Sequence, residues 1–535
     1  MIREPWKNEI REPSELLEDS DVLWLAPIEP GAAERARAWL LGSSYGISLL
    51  VHLVALFLLS FVLFFTERVE QKAKLLVRKE APRPKPFDES PPALEEKPEI
   101  KVQVESETPQ INIEEELPEV ERPKGKAEAH SNKDTSYDQA VDCFGTAGGG
   151  SAAFGDRFGK PGLVGNGGST KTQRGVDLAL DWLARHQNPD GSWSVHGWCR
   201  HCRDASCQGK DRDGNGSADD NREGVTALAI LAFLGNGETH RFGIRHKPTV
   251  SRAMRRLRSR QKPDGSIGFH GTNPEWGMYQ HAIATMALCE ALTMTRDFRL
   301  KRPAQKAVSF CLRAQNPGQG WRYEPRCGNN DASVTGWMFL ALKAARAAEL
   351  EVPTTAFESA ETFFKRVTDE SSGETGYSRA GGGPSVLGMN KNVFRPLPSP
   401  TAAALLCRVF GGESAQRGAL RRSRSLLMKH RPEWVEKDAD GLSRVNFYYW
   451  YYGTYAMFQI GGSDWKAWNE DMIGALLPNQ HHKSCARGSW DTKGEWSRVG
   501  GRVYATAINA LTLEIYYRYK RGDSIKKAKA ATVGH

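Results

Sequence analysis

The 535-residue chain is 39% hydrophobic and carries 15 Trp, enough apolar material for a sizeable core and enough length for more than one domain. Nine cysteines in this length exclude a disulfide-dense mini-scaffold. The net charge of +9 is uneven: residues 86–121 hold 12 acidic and 2 basic side chains, so the rest of the chain is strongly basic, which allows anionic headgroups or acidic partners. No nucleic-acid partner is expected.

Residues 1–37 form a short N-terminal segment. From 38 to 66 no residue is charged, and the run Ile47-Ser48-Leu49-Leu50-Val51 continues apolar to Phe65. About 20 apolar residues span a bilayer as a helix, so 38–66 is expected to be a single transmembrane helix. His52 is its one polar oddity, either tolerated there or part of a proton relay. Arg35 and Arg37 precede the segment, while Arg68, Lys72, Lys74, Arg78 and Lys79 follow it, so counting positive charges puts the C-terminal side in the cytoplasm. The layout of short N-terminus, one span and acidic Pro-rich spacer resembles TonB-like anchors, whose bulk lies outside the cytoplasmic membrane. The expectation adopted is a single-pass membrane protein with its C-terminal domain extracytoplasmic.

Residues 67–135 read as a disordered tether: like charge swells it and Pro91, Pro92, Pro98, Pro109 and Pro118 keep it extended. Residues 136–170 are glycine-rich, with Gly148-Gly149-Gly150 and Gly165-Asn166-Gly167-Gly168, and read as a second linker. No strand-then-helix frame surrounds these glycines, which argues against a phosphate loop.

Self-similarity dominates the remainder. Gln187-Asn188-Pro189-Asp190-Gly191-Ser192-Trp193 recurs as Gln261-Lys262-Pro263-Asp264-Gly265-Ser266-Ile267 and as Gln315-Asn316-Pro317-Gly318-Gln319-Gly320-Trp321, with a stretched copy from Gln480 to Trp490. Pro-Asp-Gly stops a helix and turns the chain, the Gln amide can reach neighbouring backbone, and the Trp can pack between hairpins. Polar helices near 171–187, 248–261, 302–315, 354–369, 415–429 and 465–480 alternate with apolar ones near 223–236, 278–294, 331–349, 400–411, 446–460 and 501–519. The predicted fold is all-α: an (α/α)6 toroid over 171–520, a polar outer ring around an apolar inner barrel, followed by a basic disordered tail at 521–535.

The Gln…Gly-x-Trp copies resemble the repeats of squalene and hopene cyclases and of protein prenyltransferase β-subunits. More closely, the chain from Val176 to Tyr519 resembles planctomycete-type proteins carrying such repeats. That likeness rests on Asp331-Ala332-Ser333-Val334-Thr335-Gly336-Trp337, Asn446-Phe447-Tyr448-Tyr449-Trp450, Gly461-Gly462-Ser463-Asp464-Trp465 and Gly500-Gly501-Arg502-Val503-Tyr504. The resemblance implies a terpenoid-cyclase-like toroid and names no reaction.

Cyclases of this kind protonate an alkene with an Asp-x-Asp-Asp run. None is present, and Ser217-Ala218-Asp219-Asp220 comes closest. Asp331 opens an inner helix, so it can be an N-cap, a cavity acid or both. With Glu223 and His281 it makes up the candidate catalytic set. Prenyltransferases need Asp, Cys and His around zinc; Tyr449 stands where the His would be and Ser333 where a Cys might be, so no zinc prenyltransferase site is expected. Nor is there a Cys-Gly-Glu-Gln thioester like that of complement-type toroids. What remains is an aromatic set at inner-helix starts: Trp276, Tyr279, Trp337, Tyr448, Tyr449, Tyr452 and Tyr504, with Arg502. It reads either as packing or as a ligand cavity.

An insertion lengthens the first turn. Asp211, Asp213, Asn215, Asp219 and Glu223 offer oxygens at calcium-loop spacing, but Arg222 stands in the twelfth place, so calcium at 211–223 and a plain Asx-rich turn both fit. Cys199, Cys202 and Cys207 fit zinc or a disulfide. Two functions follow: a membrane-anchored toroid that binds or acts on an isoprenoid-like or other large apolar ligand, or a non-enzymatic scaffold tethered at the cell envelope.

Overall fold

The computed structural model describes residues 157–160, 162–202, 221–270, 276–380, 398–437, 443–494 and 496–519, together with His52, which is helical and exposed. The rest of 38–66, the tether 67–135 and the tail 521–535 lie outside the described residues. Among those described, no helix is long and apolar enough to cross a membrane. The chain divides into two units, Met1–Ile113 and Glu114–His535, and every element below belongs to the second.

Six outer helices alternate with six inner ones. The outer helices are α1 (Thr170–Arg185), α3 (Lys247–Ser259), α5 (Phe298–Ala314), α7 (Thr354–Val367), α9 (Gly418–Lys429) and α11 (Gly462–Leu476). The inner helices are α2 (Arg222–Gly235), α4 (Gly277–Thr295), α6 (Ala332–Ala347), α8 (Ser399–Phe410), α10 (Phe447–Ile460) and α12 (Ser497–Leu513). A short turn of helix, α13 (Ile515–Arg518), follows. Each inner helix packs on the next, and α12 packs back on α2, so the ring closes. Each outer helix lies against the inner helix that precedes it, and α1 lies against α12. This is the closed six-hairpin toroid expected from the repeats.

The pattern of burial explains the two rings. α3 buries Thr249, Val250, Ala253, Met254 and Leu257, one stripe at helical spacing, and leaves Arg255 and Arg258 in solvent. α2 is buried from Glu223 to Gly235, because it has neighbours on every side. Several boundaries differ from the sequence reading by a few residues, and two of them have a visible cause. α5 starts earlier than 302, because the Asp297 side chain caps it at Arg299 N, and Pro303 is accommodated within it. α12 starts earlier than 501 and is kinked at Gly501, whose φ of 66° breaks the helical run.

The repeated turns fix how hairpins join. Gln187 Nε2 donates to the carbonyls of Gly191 in its own turn (3.1 Å) and of Thr249 in the next outer helix (2.9 Å). Gln261 does the same to Gly265 and Pro303, and Gln315 to Gln319 and Ala356. The turn glycines 191, 265 and 488 have φ near +90°, and a Cβ on any of them would collide with the backbone of the following outer helix. The Trp indoles act within their own hairpin: Trp193, Trp321 and Trp490 donate to the carbonyls of Leu183, Cys311 and Leu476 (2.7–2.8 Å) at or near the ends of the preceding outer helices.

The C-terminal ends of the inner helices converge on a buried ion cluster. Glu290 lies between Arg157 (2.7 Å) and Arg518 (3.0 Å), all three wholly buried. The two guanidiniums also donate to the carbonyls of Leu234 and Leu231 near the end of α2, where helix dipoles concentrate negative charge. Burial pushes Glu514 beside them up to about 8, against the opposing pull of Arg518, which lies 3.4 Å away. Arg157 belongs to the stretch expected to be linker. From that residue onward the lead-in is part of the ring: Trp465 Nε1 donates to Asn166 O and Asn469 Nδ2 to Gly167 O, stitching it to α11.

Candidate functional site

The first turns of the inner helices line a half-open basin at the end of the barrel opposite the ion cluster. α2 contributes Asn221, Gly224, Val225 and Leu228; α4 contributes Trp276, Tyr279, Gln280 and Ile283. Ser333 and Trp337 come from α6, Tyr448 from α10, and Trp496, Val499, Gly500 and Tyr504 from α12. Trp276 and Trp496 meet edge to face at 6.0 Å, and Trp496 and Tyr448 lie 6.3 Å apart, so the rings form a continuous wall. The few polar groups are mostly spent. Gln280 accepts from Gly224 N and donates to Gly268 O, and Ser333 Oγ and the Tyr448 hydroxyl share a 2.7 Å hydrogen bond. The Tyr504 hydroxyl is buried and has no hydrogen-bond partner among the described residues.

Asp331 sits directly behind this wall as the N-cap of α6. Its Oδ1 accepts from Ser333 N (2.9 Å) and Val334 N (2.8 Å), which makes it the cap that the sequence suggested. Its Oδ2 is buried without a hydrogen bond of good geometry. Burial raises the carboxyl to about 7, against the opposing pull of the two backbone N–H groups, Arg322 and the nearby Tyr377 hydroxyl. Tyr377 in turn bonds the hydroxyls of Tyr323 (2.7 Å) and Tyr279 (3.3 Å). A chain of phenols thus runs from the vicinity of Asp331 to a residue that lines the basin.

The other predicted residues divide. Trp276, Tyr279, Trp337, Tyr448 and Tyr504 line the basin. Tyr449 does not: its ring packs on Trp468 of α11 and its hydroxyl reaches Leu427 O at 3.5 Å. Tyr452 is one turn deeper, filling the barrel between Trp337 and Tyr448. Glu223 turns to the outer ring, where Arg260 (2.9 Å) and Arg256 (3.4 Å) bind it. His281 is wholly buried against α5; it accepts from Ile267 N, contacts Ala307 O at 3.0 Å, and burial lowers it to about 4, so it is neutral. Arg502 holds Asp491 and Ser489 of the last turn and stacks over Trp198 of the first. The candidate catalytic set is therefore not brought together: Glu223 and His281 serve packing between the rings, and only Asp331 stands near the basin. Sequence reasoning missed Asn221, Gln280 and Trp496; Asn221 and Trp496, like Trp276, are the residues immediately before an inner helix.

The insertion is described in part. Cys207, Asp211, Asp213, Asn215 and Asp219 lie outside the described residues, as does the 217–220 acidic run. Glu223, the remaining member of the calcium set, is taken by the two arginines. Cys199 and Cys202 are not joined to each other by a disulfide; Cys202 Sγ lies 3.5 Å from His186 Nε2. Burial lowers His186 to about 4. Among the described residues no three His, Cys, Asp or Glu side chains converge as a metal site would require. Cys485, in the last turn, is disulfide-bonded.

No protein-family model matches the chain, and no curated protein matches it. Several solved structures overlap it. A type II terpene cyclase from Scytonema, without ligand, shares 14% identity at a TM-score of 0.42, over 65% of this chain and 98% of its own. An alpha-amylase from Clostridium perfringens shares 12% at 0.43, over 64% and 98%. An unsaturated glucuronyl hydrolase from Bacillus sp. GL1 shares 12% at 0.42, over 66% and 100%. Overlaps of this quality assign neither a reaction nor a ligand to the chain.

Proposed function

We propose that the chain is a membrane-tethered toroid that binds a large apolar, isoprenoid-like molecule in the basin. One observation carries this reading. A half-open space is walled by six Trp and Tyr rings and aliphatic side chains, and among the described residues no carboxylate, imidazole, ammonium or guanidinium stands on its lining. Walls of this kind reward the burial of apolar area.

The tether belongs to the same reading. The charge-free segment 38–66 is long enough to span a bilayer. The disulfide at Cys485 supports a ring on the oxidising side of that membrane. Thiol labelling of a cysteine engineered into 67–135, in intact cells, decides the topology: labelling by an impermeant reagent is expected, and protection would reverse it.

The binding test uses the full chain purified in mild detergent. Native mass spectrometry is expected to find an apolar molecule bound one to one, and farnesol is expected to quench basin tryptophan fluorescence. Leu228→Trp, which fills the basin from α2, is expected to abolish both. Farnesol binding that is absent, or that survives Leu228→Trp unchanged, would sink the reading.

A second reading adds proton transfer to binding. It is favoured by the carboxyl of Asp331, which burial raises to about 7, and by the phenols that lead from it toward the lining. Its test is separate: Asp331→Asn should bind farnesol as before while any turnover of the co-purified ligand stops. Turnover that persists in that variant removes Asp331 from the chemistry.

A further inference from the structure

The ring has a second distinctive face, at the end opposite the basin. The exposed large hydrophobic side chains among the described residues are Val164 (74% exposed), Phe242 (38%), Ile244 (75%) and Phe298 (79%). All four lie at this end: Val164 in the lead-in, Phe242 and Ile244 in the loop from α2 to α3, and Phe298 at the start of α5 directly after α4. His240 Nε2 bonds Asp297 Oδ2 at 3.0 Å, joining the two loops that carry Phe242, Ile244 and Phe298.

These side chains are held outward by an ordered loop. Thr239 N donates to Phe242 O, and Thr239 Oγ1 accepts from the backbone N–H groups of Arg241 and Phe242. The Glu238 carboxylate accepts from the N–H groups of Arg245 and His246. A loop pinned at both ends, yet presenting Phe and Ile to solvent, leaves apolar area unused in the isolated ring.

Charge surrounds the apolar tips. Residues 240–248 and 296–302 together hold seven Lys or Arg and one acid, Asp297. That acid is buried and already engaged by Arg299 and His240. Arg245 pairs with Asp181 and Arg296 with Glu349, but Arg241, Lys247, Lys301 and Arg302 are exposed and form no ion pair among the described residues. A soluble polyanion would satisfy the cations and leave Ile244 and Phe298 in water. A bilayer with anionic headgroups satisfies both at once, the rings and branched chains entering the acyl boundary while the cations meet phosphate.

We propose that this face docks on an anionic lipid surface. The ring then lies against the membrane through the loops after α2 and α4, and the basin opens toward the aqueous side. This goes beyond the tether: a span holds the chain to a membrane of any charge, whereas this face distinguishes anionic lipid from neutral lipid.

The experiment reconstitutes the full chain into nanodiscs of phosphatidylcholine alone and of phosphatidylcholine with phosphatidylglycerol, and follows backbone hydrogen exchange. Peptides covering 240–247 and 297–301 are expected to exchange roughly tenfold more slowly in the anionic discs. The double variant Ile244→Ser/Phe298→Ser and the double variant Lys301→Glu/Arg302→Glu should each lose that difference while keeping wild-type helicity, since all four side chains are exposed. Equal exchange in both lipids overturns the proposal. So does equal protection by heparin without lipid, which would make the partner a soluble polyanion. Protection already present before lipid is added also overturns it, and would point to the chain's own acidic stretch. Co-elution of the chain with both kinds of disc reports the 38–66 span, so span and face can fail separately.

Discussion

Gln480 Nε2 donates to the carbonyl of Gly175 at 2.8 Å, across 305 residues of chain, and to its own turn at Gly488 O at 2.9 Å. Gln187, Gln261 and Gln315 make the same pair of bonds, one within their own turn and one to the outer helix that follows. Gln480 has no following outer helix except the first, so the repeat device itself closes the ring. Gln480→Ala would leave two carbonyls without this donor, at a cost of about 1–3 kcal/mol. The loss should fall first on the seam: hydrogen exchange of α1 and α11 peptides is expected to speed up before that of α5 or α6. A melting temperature and exchange pattern equal to wild type would show that the seam is held by packing alone.

The device was legible because its parts are chemically conspicuous. A side-chain amide, a glycine that must sit at positive φ and an indole recur at fixed offsets, and each has one structural use. The rest of the site followed helical phase, which a one-dimensional reading blurs. Tyr448 and Tyr449 are neighbours in sequence, but a step of about 100° turns the first to the basin and the second to α11. Glu223 and Gly224 part in the same way, so an acid that looked catalytic is bound by Arg256 and Arg260. Asn221 and Trp496 were missed because they precede their helices and stand outside the apolar pattern. The lead-in was misread because glycine content suggests flexibility, whereas Gly167 lets the chain approach Asn469 closely.

Asp331 makes stability depend on pH in a direction opposite to that of an ordinary ion-paired carboxylate. Its folded value, about 7, lies above the value near 4 of an unfolded Asp. Between those two values the folded chain holds a proton that the unfolded chain has released. The stabilisation is therefore complete below about pH 4 and is lost as pH rises through about 7. Denaturant midpoints of wild type should show this component falling over that window. Asp331→Asn, which keeps the N-cap, should remove it; an unchanged profile in the variant would mean that the Asp331 carboxyl is ionised in the folded protein across the window.

The buried cluster predicts a large penalty for a change that keeps size nearly constant. Glu290→Gln leaves the guanidiniums of Arg157 and Arg518 in a wholly buried site without their shared carboxylate. Breaking a buried pair in this way typically costs about 3–5 kcal/mol. Because Arg157 belongs to the lead-in, the variant should also release residues 157–169 to proteolysis while the outer helices remain protected. Resistance of that segment in Glu290→Gln would show that the lead-in is held instead by its contacts with α11 and by the hydrogen bond that Asn166 Nδ2 donates to Tyr516 O.

Tyr504 separates a basin used for binding from one that is merely a packing defect. Its hydroxyl is buried and has no partner among the described residues, so Tyr504→Phe removes a polar atom at no loss of a hydrogen bond seen there. The variant should be as stable as wild type or slightly more so, because an unsatisfied buried hydroxyl is a net cost. Ligands should respond in the other direction. If a polar end group pairs with this hydroxyl, farnesol should bind Tyr504→Phe more weakly by roughly threefold to tenfold, the worth of one neutral hydrogen bond. A saturated hydrocarbon of the same length should bind both proteins alike. Equal farnesol affinity in the two proteins would place the ligand's polar end at the open mouth, away from α12, and would leave the apolar wall of Trp276, Trp337 and Trp496 as the whole basis of binding.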